Sequence, residues 1–290
     1  MSVRIFDPHI HMTSRTTDDY EAMAAAGVQA IVEPAFWLGQ PRTSAGSFVD
    51  YFASLLGWEP FRARQFGIAH HCTLALNPKE ANDDRLRDEV IELLPRYLAK
   101  DRVVAVGEVG YDSMTKAEDD AFARQVALAI EHDLPVLVHT PHRDKVAGTE
   151  RTLALLKESG LAPERALIDH NNELTVPVVI ESGCWMAFSI YPDTKMDETR
   201  MVRILQEYGL ERMLVNSAAD WGRSDPLKTL KTANAMREAG FDDDAIDWVL
   251  WRNPVAFYSQ SGRLELDVAA GDPGETFEGS SILRGARADT

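Results

Sequence analysis

The chain has 290 residues, 45% of them hydrophobic and 26% charged, a composition within the range of ordinary globular proteins and long enough for one large α/β domain. Its 30 Lys and Arg stand against 46 Asp and Glu, a formal charge of −16, which argues against extensive tracking of a nucleic-acid backbone, local basic patches aside. No apolar run reaches the roughly 20 residues of a membrane span and no basic-then-apolar leader opens the chain, so a cytoplasmic protein without a membrane partner is expected.

Short β-branched and apolar runs alternate with longer helical patterns, which predicts a parallel α/β protein. Strands are predicted over 3–11 (VRIFDPHIH), 28–36, 66–76, 103–112 (VVAVGEVGYD), 135–140 (PVLVHT), 166–170 (ALIDH), 184–191 and 213–218 (MLVNSA). Helical spacing predicts helices over 84–100, with Pro95 as a kink, and over 117–133, 147–159, 174–182, 197–208, 226–239 and 243–258. Eight strand-helix units in roughly 260 residues point to a TIM (β/α)8 barrel. An open doubly wound sheet ranks second, because no glycine-rich GxGxxG turn follows the first strand.

The barrel is assigned to residues 1–262 and an extended tail to 263–290, where Gly and Ser replace any long period. The apolar middle of that tail, FEGSSILRG, allows docking on the barrel or on a neighbouring subunit. Cys72 and Cys184 are too few and too far apart for a disulfide framework or a Cys-rich metal site, and read as buried thiols.

Strand side chains alternate faces, so His9 and His11 in FDPHIH point to one side, their rings about 6 to 7 Å apart and able to converge on one ion. Asp7 falls on the same face as a candidate orienter of a ligating imidazole. Glu108, His139 and His170 end the fourth, fifth and sixth strands, and Asp220 lies just past the eighth. Gathering six ionisable groups at one barrel mouth costs several kcal/mol unless a cation compensates them, and imidazole with carboxylate suits Zn²⁺ first, with Mn²⁺ as an alternative.

DPHIH matches the DxHxH signature of the amidohydrolase superfamily, and GEVGYD resembles the GExGLD motif of the TatD-like metal-dependent hydrolases. The match runs through His139, His170 and Asp220 over most of residues 1–260, and WRNPVAFY (251–258) resembles the segment that closes that family's last helix. The resemblance implies two divalent ions, Zn or else Mn or Mg: His9, His11, Glu108 and Asp220 around one, Glu108, His139 and His170 around the second, with Glu108 as the bridge. It implies hydrolysis of a phosphoester, amide or lactone bond by activated water, with Glu108 and Asp220 as the catalytic carboxylates and Asp220 accepting the water's proton.

Weaker signals surround this set. Asp112, His142, Arg143 and Trp221 are candidate substrate contacts on mouth-side loops, whereas Asn77 and the residues after His170 read as turn and cap residues. Glu33 is a lone strand-end carboxylate, and His70 and His71 are left unassigned. Two departures from the family, ADWGRSDP in place of an Asp-Pro continuation and HNNE after the sixth strand, together with bulky aromatics between 36 and 65, alter the substrate side of the site. A small-molecule substrate is therefore expected rather than DNA. The rival readings are a one-metal lyase of decarboxylase type and a non-catalytic metal-stabilised scaffold.

Overall fold

The computed structural model describes residues 3–272 and 274–277. Eight strands run in the order β1 to β8: Ile5–Asp7, Val28–Pro34, Ala69–Leu74, Val103–Gly110, Val136–His139, Ala166–Ile168, Trp185–Ser189 and Met213–Asn216. Each pairs in parallel with the next. The ring is drawn shut between the ends of β1 and β8, where Ala218 donates to the His9 carbonyl and His11 to the Ala219 carbonyl, both at 2.9 Å. This is the TIM barrel expected from the alternation of patterns.

Inward positions before the strand ends carry Phe6, Ala30, Val32, Ala69, Leu137, Leu167, Ala187 and Leu214, packed with Trp251, Phe257 and Tyr258. Small residues on β2, β3 and β7 leave room for the three aromatics supplied by the closing helical segment. Tyr258 donates its hydroxyl to the Pro8 carbonyl at 2.8 Å, and Asn253 reaches the carbonyls of Leu210 and Met213 at 2.7 and 2.8 Å. The WRNPVAFY segment thus ties the last helical turn to both the first and the last strand.

Outside the ring, a larger apolar layer joins the outward strand residues to the surrounding helices. The helix Lys116–Glu131 starts at a capping box, Thr115 with Glu118, which satisfies two of its orphan N–H groups. Pro95 lies inside the helix Arg87–Leu98 without ending it. The helices Thr17–Ala25, Ala45–Ala53 and Glu59–Arg64 had no counterpart in the sequence reading. Thr17–Ala25 buries only Tyr20 and Met23, too thin an apolar face to announce a helix by period.

The described tail rides on the barrel. Arg263 caps the carbonyls of Leu98, Lys100 and Val103, Glu265 donates its N–H to His71 Nε2 at 3.1 Å, and Gly271 donates to Arg64 at 2.9 Å. Phe277 meets Trp58 and Phe61 with ring centroids 5.4 Å apart. The rest of FEGSSILRG lies outside the described residues.

Candidate metal centre

Glu108 is placed by the two glycines around it. The pairing of β4 with β5 steps from Val106↔Val136 to Val109↔Val138, so β4 carries one extra residue, a bulge that turns the carboxylate into the mouth. A side chain at Gly107 would lie 2.6 Å from Leu137 Cβ, and one at Gly110, with φ +122°, 2.3 Å from the His139 carbonyl. The pattern VGEVG is what a strand needs to aim Glu108 while staying this close to its neighbour.

Around Glu108 the imidazoles converge. His9 Nε2 lies 3.0 Å from Glu108 Oε1 and 2.9 Å from His11 Nε2. His170 Nε2 lies 3.0 Å from His139 Nδ1 and 3.7 Å from Glu108 Oε1, while His139 Nδ1 lies 3.9 Å from Glu108 Oε2. Ligand atoms of His9, Glu108 and His170 all fall within 4.8 Å of one another. All five residues are buried.

A ring of partners orients these groups. His9 Nδ1 lies 2.5 Å from Asp169 Oδ2, and Asp169 also receives Asn216 Nδ2 at 3.1 Å and the His170 N–H. His170 Nδ1 meets Ser189 Oγ at 2.7 Å, and Ser189 in turn reaches Asp169 at 3.4 Å. Asn77 donates Nδ2 to Glu108 Oε2 at 2.9 Å while its Oδ1 caps Lys79, so this residue both starts a turn and fixes the central carboxylate. Asp7 accepts the backbone N–H groups of His9 and Ser217; it shapes the backbone under His9 and leaves the ring to Asp169.

These contacts test whether a cation fits. With Nδ1 bonded to Asp169, His9 Nε2 faces Glu108 Oε1 at 3.0 Å, so the gap between them is a place for positive charge, held by a proton on Nε2 or by a metal ion that replaces it. Burial works against a charged His9, yet Glu108 and Asp169 outweigh it and carry the imidazole up to about 9. Burial would raise the Glu108 and Asp169 carboxyls, but the bond and charge of His9 hold Glu108 below its ordinary value and Asp169 down at about 2. Burial, joined by neighbouring cationic charge, pushes His11, His139 and His170 well below the usual imidazole value, leaving neutral nitrogen lone pairs. His11 Nδ1 and His139 Nε2 are buried without a hydrogen-bond partner among the described residues. Two nitrogens bound to one ion at about 2.1 Å sit roughly 3.0 to 3.4 Å apart for right-angled to tetrahedral geometry, close to the nitrogen spacings here. The donor set fits a divalent ion.

The remaining predicted residues separate. Asp220 lies on the wall of the mouth cavity, which encloses about 230 Å³; its Oδ1 accepts from Gly222 N at 2.8 Å and from the Tyr191 hydroxyl at 3.1 Å. Trp221 and His142 also line this cavity. Trp221 packs on Phe36, which stacks on His11 at 3.6 Å, and His142 stands with its ring 6.2 and 6.4 Å from those of His139 and His170. Asp112 and Arg143 are not part of the lining. Asp112 is held by Glu118 through its N–H and faces Lys79 at 3.5 Å, and Arg143 is exposed.

Glu33 and His70 turn away from the mouth and meet each other at 2.9 Å, fully buried. Sequence reading passed over Asp169, Ser189, Asn216, Tyr191 and Lys195. For Asp169 a signal existed: an acid directly before a strand-end histidine. Alternation would place the two on opposite faces, but His170 has φ +60°, and that turn brings both side chains inward.

A family model described as TatD related DNase matches residues 6–239. An uncharacterized metal-dependent hydrolase of Methanocaldococcus jannaschii is 24% identical over 257 residues, covering 88% of this chain and 99% of its own. Among solved structures, a TatD-like protein from Archaeoglobus fulgidus superposes with a TM-score of 0.73 at 24% identity, over 87% of this chain and 99% of that one. The phosphotriesterase homology protein from Escherichia coli, complexed with phosphate in its active site, superposes with a TM-score of 0.64 at 15% identity, over 89% and 99%.

Proposed function

The chain belongs to the TatD-related DNase family and is a metal-dependent hydrolase, and we propose that it works with a binuclear centre on a small substrate, cleaving a phosphoester, amide or lactone bond. The observation that carries this reading is the central position of Glu108. One of its oxygens faces His9 and His170 and the other faces Asn77 and His139. A carboxylate lying between the His9–His11 pair and the His139–His170 pair is suited to bridging. His9 and His11 would hold one ion and His139 and His170 the other, with zinc first among the candidates and manganese or magnesium next.

When bound, such ions supply Lewis acidity and water that loses its proton near neutral pH. The protein's own part is orientation and proton handling. Asp169 and Ser189 fix the rings of His9 and His170 through their far nitrogens. Asp220 would accept the proton of the attacking water at Oδ2, since Oδ1 is engaged by Gly222 and Tyr191. Phe36, Trp37 and Trp221 give the cavity an aromatic side that excludes water from part of it.

A cavity of about 230 Å³ is small beside typical ligand pockets of about 300 to 1,000 Å³. Together with the net charge of −16, that size supports a small molecule over nucleic acid as the substrate. No helix among the described residues is long and apolar enough to cross a membrane, and a cytoplasmic setting is part of the proposal. Metal analysis of the purified protein, followed by a screen of phosphoesters, lactones and amides, tests the reading. About two equivalents per chain and turnover of one class support it; a single equivalent with no hydrolysis of any class overturns it.

A further inference from the structure

Of the two lysines in the cavity lining, Lys79 faces Asp112 at 3.5 Å and lies 4.9 Å over the Trp37 ring. Lys195 is different. Among the described residues no carboxylate oxygen lies within 4.0 Å of its ammonium and no side-chain hydrogen bond holds it; it lies 5.6 Å over the Tyr191 ring. Lys195 is partly exposed and lines the cavity, so its ammonium is presented to whatever enters the cavity rather than to an acceptor of the chain.

The backbone that presents Lys195 is fixed on both sides. Its N–H donates to the Tyr191 carbonyl at 2.8 Å, its carbonyl accepts from Arg200 Nη1 at 2.7 Å, and the next residue, Met196, is buried in the core. The Tyr191 ring beneath the lysine is tied by its hydroxyl to Asp220. The side chain therefore projects into the cavity from a built turn.

The acids near it have other partners, Asp220 through Oδ1 alone. Glu108 takes His9 and Asn77, Asp169 takes His9, His170 and Asn216, and Asp220 takes its own loop and Tyr191. Burial pulls the lysine's affinity for its proton down while Asp169, Glu108 and Asp220 pull it up, which places all three within electrostatic reach without pairing any of them to it. With none of them paired to it, the lysine presents its charge to an anion entering the cavity.

We propose that Lys195 is the substrate-positioning residue of this centre, binding a compact oxyanion, phosphate or carboxylate, carried by a small ester beside the bond that is cleaved. This rests on the hydrolase reading above and adds the substrate's charge to it. Lysine suits the task as a point charge on a flexible stem, and a charge-assisted contact to an oxyanion is among the stronger polar interactions.

The test uses the full-length, metal-loaded protein, with inorganic phosphate and acetate as calorimetric probes and metal content measured in parallel. Lys195→Gln is expected to weaken the preferred probe about tenfold with metal content unchanged, and Lys195→Arg to retain most of the affinity. The preferred probe identifies the oxyanion as phosphate or carboxylate. Wild type that loads metal but binds both probes no better than Lys195→Gln overturns the inference and leaves the hydrolase reading standing. Loss of metal in Lys195→Gln also overturns it, since the lysine would then be supporting the metal site. Wild type that loads no metal overturns the hydrolase reading and the inference together.

Discussion

His9 Nδ1 and Asp169 Oδ2 are 2.5 Å apart, both buried, so the aspartate decides which nitrogen of that imidazole faces Glu108. Asp169 spends its other oxygen on the His170 N–H and on Asn216, which leaves the carboxylate no freedom to turn. An asparagine would fit the space but could present an amide N–H to Nδ1 and favour the wrong tautomer. Asp169→Asn is expected to lower metal affinity by about 10- to 100-fold and, because it breaks a buried pair with His9, to lower the unfolding midpoint of the metal-free protein as well. Metal titration against a chelating indicator checks this; unchanged affinity would remove Asp169 from the machinery.

Glu108 has a different role, because both of its oxygens face imidazoles. If it bridges, removing it should cost more than one ligand. Glu108→Ala is expected to reduce bound metal from about two equivalents to one or none and to abolish turnover. Elemental analysis after dialysis gives the count. Retention of two equivalents would show that the histidines hold both ions unaided.

The barrel was legible in the sequence because parallel strands buried on both faces read as dense apolar runs, and VVAVGEVG or VLVH could be little else. The first helix was not, since two buried residues make no period. Candidate site residues divide in the same way. His9, Glu108 and His139 lie on or next to strands, where alternation and strand-end position can be read directly. Asp169 and Lys195 are aimed by turns, the first through the left-handed backbone of His170 and the second through the reversal at Tyr191, and one-dimensional periodicity carries no information about turns of that kind. Asn77 was read as a turn residue and is one, but its second amide hydrogen bond crosses from the turn after β3 to Glu108 on β4, a relation visible only in three dimensions.

The glycines of β4 give a test of how the site is built. At Gly110 a methyl group would lie 2.3 Å from the His139 carbonyl, on a backbone with φ +122°, so neither the neighbour nor the dihedral can accommodate it. Gly110→Ala is expected to destabilise the fold by about 2 to 4 kcal/mol and to displace Glu108 relative to His139. Thermal unfolding with and without metal separates the two effects: the variant should lose both intrinsic stability and most of the stabilisation that added metal gives the wild type. A variant with a normal melting temperature would show that the bulge can relax.

Glu33 and His70 give a prediction about pH that is independent of the metal. The pair is buried between the barrel and its helices, with Thr13 N–H donating to Glu33 Oε1 at 2.7 Å and Glu33 Oε2 2.9 Å from His70 Nε2. Burial pushes Glu33 up to about 7 and His70 down to about 4, so between those values a protonated carboxyl donates to a neutral imidazole. A carboxyl raised on folding binds its proton more tightly in the folded state. Its stabilising contribution is complete below the ordinary glutamate value near 4.5 and is lost as pH rises through about 7. His70 acts with the opposite sign, gaining stability between about 4 and the ordinary 6.5, but that contribution is common to wild type and variant and cancels in their difference. Glutamine mimics the protonated acid, donating to His70 and accepting from Thr13. Relative to Glu33→Gln, the wild type should therefore lose on the order of 1 to 3 kcal/mol of stability between pH 5 and pH 8. Denaturant midpoints across this range measure the difference, and a difference that stays constant from pH 5 to pH 8 would mean that Glu33 is ionised throughout and balanced by Arg62 or another cation instead.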